Sequence, residues 1–99
     1  MVNGIKDNKC IAPVVKCTGQ VTISIPANTS TPRFQSITNA AISSGDVVCA
    51  TPVYDDSALQ DGSIRFWTSV VGTNASVYMQ ASDDAAHEIT FNVTVLAGV

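Results

Sequence analysis

Ile89-Thr90-Phe91-Asn92-Val93-Thr94-Val95 alternates apolar and polar side chains without a break, and this stretch decides the fold class. Successive side chains of an extended strand point to opposite faces. A period of two therefore puts Ile89, Phe91, Val93 and Val95 on a buried face and Thr90, Asn92 and Thr94 on a solvated one. Val21-Thr22-Ile23-Ser24-Ile25 repeats the pattern, with Val21, Ile23 and Ile25 on one side. Between these two runs no stretch of useful length carries helical spacing.

Working inward from both, prolines and small polar residues punctuate the chain. Pro26 to Pro32 is a loop whose bracketing prolines stop the strands on either side. Arg33–Thr38 reads as a short strand anchored by Phe34, and residues 39–46 turn the chain into Val47–Tyr54. Pro52 makes the end of that run an edge or a bulge. Asp55–Gly62 is a polar loop closing on an Asp-Gly turn signal, with one helical turn at Ser57–Gln60. Ser63–Val71 is the longest strand, and Gly72-Thr73-Asn74-Ala75 connects it to Ser76–Ala81. A weaker strand within Ile11–Lys16 brings the total to about seven. The expected fold is all-β, a single antiparallel β-sandwich of jelly-roll or immunoglobulin-like type. Residues 1–10 form an N-terminal arm and residues 11–99 the sandwich domain.

Charge is scarce. Asp, Glu, Lys and Arg make up 13% of the 99 residues, against about 25% in soluble domains at large, while the hydrophobic share of 45% is ordinary. A chain of this mass has a folded surface of about 5,000–5,500 Å². Contacts with two neighbours at about 800 Å² each would cover roughly a third of it, and covered surface needs no charge. Low charge therefore suits permanent assembly, as it also suits any Ser/Thr-rich β protein. The net charge of −3 and five isolated basic residues leave no stripe to neutralise phosphates, so nucleic acid is not an expected partner. No apolar run approaches the 18–20 residues or so of a membrane span. The first residues, Met1–Asp7, lack the pattern of a secretory signal, so the expected chain is made and kept in the cytoplasm or is a trimmed fragment.

Candidate chemistry is thin. His87 is the single histidine and stands beside no nucleophile motif, so a surface or interface histidine is expected. Asp55-Asp56 and Asp83-Asp84 are adjacent pairs, which diverge in extended chain, and no calcium-loop pattern surrounds them. They read as solvated turns. Cys49 shares a face with Val47 and is expected to be a buried thiol. Cys10 and Cys17 could close a loop for about 2.5 kcal/mol, but reduced thiols fit a chain without an export signal. The Asn-x-Ser/Thr triplets at Asn28, Asn74 and Asn92 are what chance gives in so Ser/Thr-rich a chain. The expectation is a non-enzyme with no metal or cofactor.

Aromatic residues carry more. On Ser63–Val71, Ile64, Phe66, Thr68 and Val70 share one face, and Arg65 and Trp67 share the other. Either face could be the inner one. An exposed Trp67 beside Arg65, with Tyr78 nearby, has the composition of an interface hot spot or of a sugar-stacking platform. Ile11 and Val14 are apolar enough to dock the arm on a neighbour, where it could pair with an exposed strand edge. Arg65, Trp67, Tyr78, Ile11 and Val14 are thus the candidate interface residues.

Ile25-Pro26-Ala27-Asn28-Thr29, leading into Ser36-Ile37-Thr38-Asn39-Ala40-Ala41-Ile42-Ser43-Ser44-Gly45-Asp46-Val47-Val48, resembles a recurring pattern in small β-sandwich modules of tailed-bacteriophage virion proteins. Glu88–Leu96 is similar to the final strand of such modules, and the likeness spans residues 19–97. The resemblance implies a structural virion protein: a head decoration or cement protein, a head fibre, or a tail-fibre tip. The residues that carry it serve the fold, so no functional residue comes with it. The expectation that follows is a capsid decoration protein, made in the host cytoplasm and carried on the virion. It would assemble as a homotrimer on the major capsid protein and stabilise the shell from outside. The alternative is a receptor- or glycan-binding module of a tail fibre, with a surface glycan as partner.

Overall fold

The alternating stretches do become strands, and they pair so that their apolar faces meet. A computed structural model describes residues 14–54 and 57–98. Among them lie six strands and one helical turn: β1 (Val15–Ile25), β2 (Arg33–Thr38), β3 (Val47–Pro52), α1 (Ser57–Gln60), β4 (Ile64–Val71), β5 (Asn74–Ala81) and β6 (His87–Leu96). They form two antiparallel three-stranded sheets, ordered β1-β6-β3 and β2-β5-β4. The protein is an all-β sandwich.

The core lies between the sheets and is richest on their two middle strands. Ile89, Phe91, Val93 and Val95 of β6 are buried, as are Val77, Met79 and Ala81 of β5. Val21, Ile23 and Ile25 extend the layer along β1. Phe66 meets Phe91 across the gap with ring centroids 4.8 Å apart, tilted by 50°. That contact turns the even-numbered residues of β4 inward and Trp67 outward, settling the choice that its two bulky faces left open.

Several expectations change. Among the described residues six strands stand where about seven were expected in the chain, because Val15 and Lys16 belong to the same strand as Val21–Ile25. Ile11 and the arm, residues 1–10, lie outside the described residues. The β4–β5 connection is two residues shorter at its end than expected, since Val71 already faces Asn74. Gly72, at φ 60°, occupies the first central position of this two-residue hairpin, where a side chain would be strained. Cys49 is exposed, not buried. The alternation that groups it with Val47 holds, but β3 pairs with β6 so that Val48 faces Val95 and Ala50 faces Val93, which sends Cys49 to solvent.

Close approach of β1 and β2 depends on Gly19. A Cβ there would lie 3.0 Å from Ile37 Cγ2. Gly19→Val should therefore overpack this side of the core and cost about 1–3 kcal/mol, read as a lower urea midpoint at unchanged slope.

A polar latch closes one end of the sandwich. Lys16 is the extra residue where the β1–β6 register slips between Val15 and Cys17, and such a bulge re-aims a side chain. Its ammonium meets Asp46 Oδ2 at 2.8 Å, and the Asp46 carboxylate also accepts from the backbone N–H of Ser43 (2.9 Å) and of Gly98 (3.0 Å). One side chain, 3% exposed, thus ties the start of β1, the β2–β3 connection and the chain beyond β6. A Cβ on Gly98 would collide with the Gly45 carbonyl, so this close approach requires glycine. Lys16 first, then the Ser43 and Gly98 amides, hold the Asp46 carboxyl near pKa 2, below its ordinary 3.8. A carboxylate depressed in the folded state stabilises fully above its unfolded pKa and loses that contribution as pH falls through the folded one. Acid should therefore weaken the protein between about pH 4 and pH 2. In Asp46→Asn, thermal melting should be lower at pH 7 and flatter across that window.

Candidate interaction face

The outer faces of the two sheets differ in kind. On β1-β6-β3 the outward rows are polar pairs joined across strands: Gln20 to Asn92 at 2.8 Å, Thr22 to Thr90 at 2.8 Å, and Ser24 to Glu88 at 2.9 Å. Such pairs suit a solvated face. On β2-β5-β4 the register instead puts Phe34 opposite Tyr78 and Tyr78 opposite Trp67, so three aromatic rings stand in one row across all three strands.

The rings are packed on one another. Phe34 and Tyr78 stack at 5.1 Å with planes 29° apart, and Tyr78 and Trp67 at 5.7 Å with planes within 4°. Tyr78 belongs to the middle strand, so its two neighbours flank it from opposite sides. The ends of the row stay open: Phe34 is 55% exposed and Trp67 37%. Each stacked pair contributes about 0.5–1.5 kcal/mol beyond its buried area, which fixes the row before any partner arrives.

Arg65 completes one end. Its guanidinium carbon lies 5.2 Å from the centre of the Trp67 ring, within cation–π range. Nε and Nη2 both donate to Gln80 Oε1, at 3.2 and 2.7 Å, and Gln80 Nε2 in turn donates to the Ser30 carbonyl at 2.9 Å. Beside them runs an open groove of about 380 Å³ lined by Ser30, Gly62, Ser63, Arg65, Gln80 and Ser82, with Ala81. In the next row alongside the aromatic one, on the side away from Arg65, Ser36 and Ser76 share a hydrogen bond of 2.7 Å. These outward rows carry one arginine and no carboxylate, although the chain as a whole is acidic.

The sequence-expected interface residues thus divide. Arg65, Trp67 and Tyr78 come together on this face. Val14 is exposed at 65%, its carbonyl accepting from Ala97 N–H at 2.8 Å, at the latch end of β1; Ile11 lies outside the described residues. Sequence reasoning missed Phe34 and Gln80. Phe34 was read only as the anchor of β2, and cross-strand pairing with Tyr78 reveals its outward place.

His87 opens β6, and its Nε2 lies 2.6 Å from Asp83 Oδ1. Among the described residues no hydroxyl or thiol is hydrogen-bonded to the ring. Asp83 also accepts from Ala85 N–H at 3.3 Å, and the Asp84 carbonyl accepts from Asn28 N–H at 2.9 Å, so the Asp83-Asp84 turn ties loops together. Groups of three or more His, Cys, Asp or Glu side chains arranged to hold a metal are absent among the described residues. No helix among them is long and apolar enough to cross a membrane. No family model, curated protein or solved structure matches this chain.

Proposed function

We propose that this protein is a non-catalytic structural component of a tailed-phage virion that decorates the outside of the capsid and stabilises it. It assembles as a homotrimer on the major capsid protein. The observation that carries this reading is the exposed, pre-stacked row Phe34–Tyr78–Trp67 on a face without carboxylates. Aromatic residues and arginine dominate interface hot spots because they bury much area at little loss of side-chain freedom. A rigid row lowers the ordering cost of association further.

Two other features support the reading. The low charge leaves much of the surface fit to be covered. The strand pairing, with β1 beside β6 and β2 beside β5, nests the chain ends around the middle in the manner of a jelly roll, whereas immunoglobulin-type sheets group their strands differently. Both accord with the resemblance to virion modules. The test is fractionation of virions into heads and tails, with the protein followed by mass spectrometry. Recovery with heads supports decoration; recovery with tails alone, or with neither, refutes it. Recognition of a surface glycan is the second reading, favoured by the hydroxyl-lined groove beside Arg65.

A further inference from the structure

We propose that the groove beside Arg65 is a binding site for a carboxylated saccharide, a sugar acid whose carboxylate docks on the guanidinium while its hydroxyls meet the groove wall. This rests on the recognition reading, in which the Arg65–Trp67 end of the aromatic row faces solvent and not another subunit, and not on the place of the protein in a virion.

The arginine is built for an anion. Arginine carries five N–H donors in a planar fork. Gln80 Oε1 takes one from Nε and one from Nη2, which leaves three at the Nη1/Nη2 end. Among the described residues no other acceptor meets them and no carboxylate pairs with Arg65. That end matches the two oxygens of a carboxylate. Trp67 beneath and Gln80 alongside hold the fork in place, so little side-chain freedom is lost on binding.

The groove says what else the ligand carries. Its volume of about 380 Å³ falls at the small end of ligand sites, and none of its lining residues carries a large apolar side chain. An acidic peptide would find no apolar pocket for its neighbouring side chains. A polyhydroxylated ring instead exchanges water for the Ser30 hydroxyl, the second hydrogen of Gln80 Nε2, and the Ser82 hydroxyl, which donates to the Ser63 carbonyl and is left to accept. Asp61, next to Gly62 in the chain, accepts from the Ser63 amide at 2.8 Å, and the Ser63 hydroxyl and amide hold its carboxyl below the usual carboxylate value.

Trp67 is the single tryptophan of the chain and lies against Arg65, so its emission reports on the site. The full-length protein is titrated with trigalacturonic acid and with 3′-sialyllactose, each beside its methyl ester, and with hexaglutamate. At least one of the two sugar acids should give a saturable change, tenfold or more tighter than its ester. Arg65→Lys, which keeps the charge and loses the fork, should weaken that binding tenfold or more with the melting temperature unchanged. No saturation with either sugar acid, equal binding of acid and ester, equal binding of hexaglutamate, or an Arg65→Lys protein that binds normally would each overturn the proposal. Head fractionation can fail while this titration succeeds, and the reverse, so the two readings fail separately.

Discussion

Phe91→Ala should lower the stability of the folded chain by about 3–5 kcal/mol, the largest effect expected of any single truncation. Phe91 is fully buried at the middle of β6, which pairs with both β1 and β3. Val21 and Pro52 stand on either side of it in register, and Phe66 lies against its ring from the opposite sheet. Removal opens a cavity where β6 is held by β1 and β3 on either side and faces the opposite sheet, and a strand held on both sides cannot collapse to fill it. A domain of this size has about 5–15 kcal/mol to lose, so this one truncation removes a large fraction of it and should lower the urea midpoint sharply. Urea unfolding followed by Trp67 emission measures the loss. Phe91→Leu, which keeps most of the volume, should recover the greater part of it.

Trp67→Ala should do the reverse, sparing the fold and disabling assembly. The side chain is 37% exposed and its neighbours Tyr78 and Arg65 are themselves at the surface, so truncation creates no cavity between the sheets. The lost stacking and cation–π contacts cost about 1–2 kcal/mol. At an interface the same change removes a hot-spot side chain, with a loss of about 2 kcal/mol or more, some thirtyfold in affinity. Tyr78→Ala should go further in both respects, because it leaves Phe34 and Trp67 without the ring between them. Circular dichroism separates an intact sandwich from a lost contact in both variants.

The parts of this structure that could be read from the sequence are those where one face is apolar and the other polar. β6 and the end of β1 are of that kind, and their buried residues are the alternating ones. β4 is bulky on both faces, so its strand could be read but its direction could not; Phe91 on the opposite sheet decides it. In β3 both alternating sets are small or apolar, and Cys49 was placed inward until pairing with β6 claimed Val48 and Ala50 for the core. In β2 neither set is uniform: Phe34 shares a face with Ser36 and Thr38, and Ile37 with Arg33 and Gln35. The aromatic row is a property of three strands in register, with its members 33 and 11 residues apart along the chain. Arg65, Trp67 and Tyr78 could be picked out by type, but only the pairing shows that they are neighbours and that Phe34 joins them. The Lys16–Asp46–Gly98 latch was hidden for the same reason, since a bulge, a turn and a chain end meet there without any local motif.

Light scattering coupled to size exclusion, on the unaltered chain and on a Phe34→Ser/Trp67→Ser variant, tests the central claim most directly. The account predicts a particle of three times the 10.3 kDa chain mass for the unaltered protein. It predicts a single folded chain for the variant, with the same circular dichroism. A monomeric unaltered protein at high concentration, or a variant that still assembles, would contradict it.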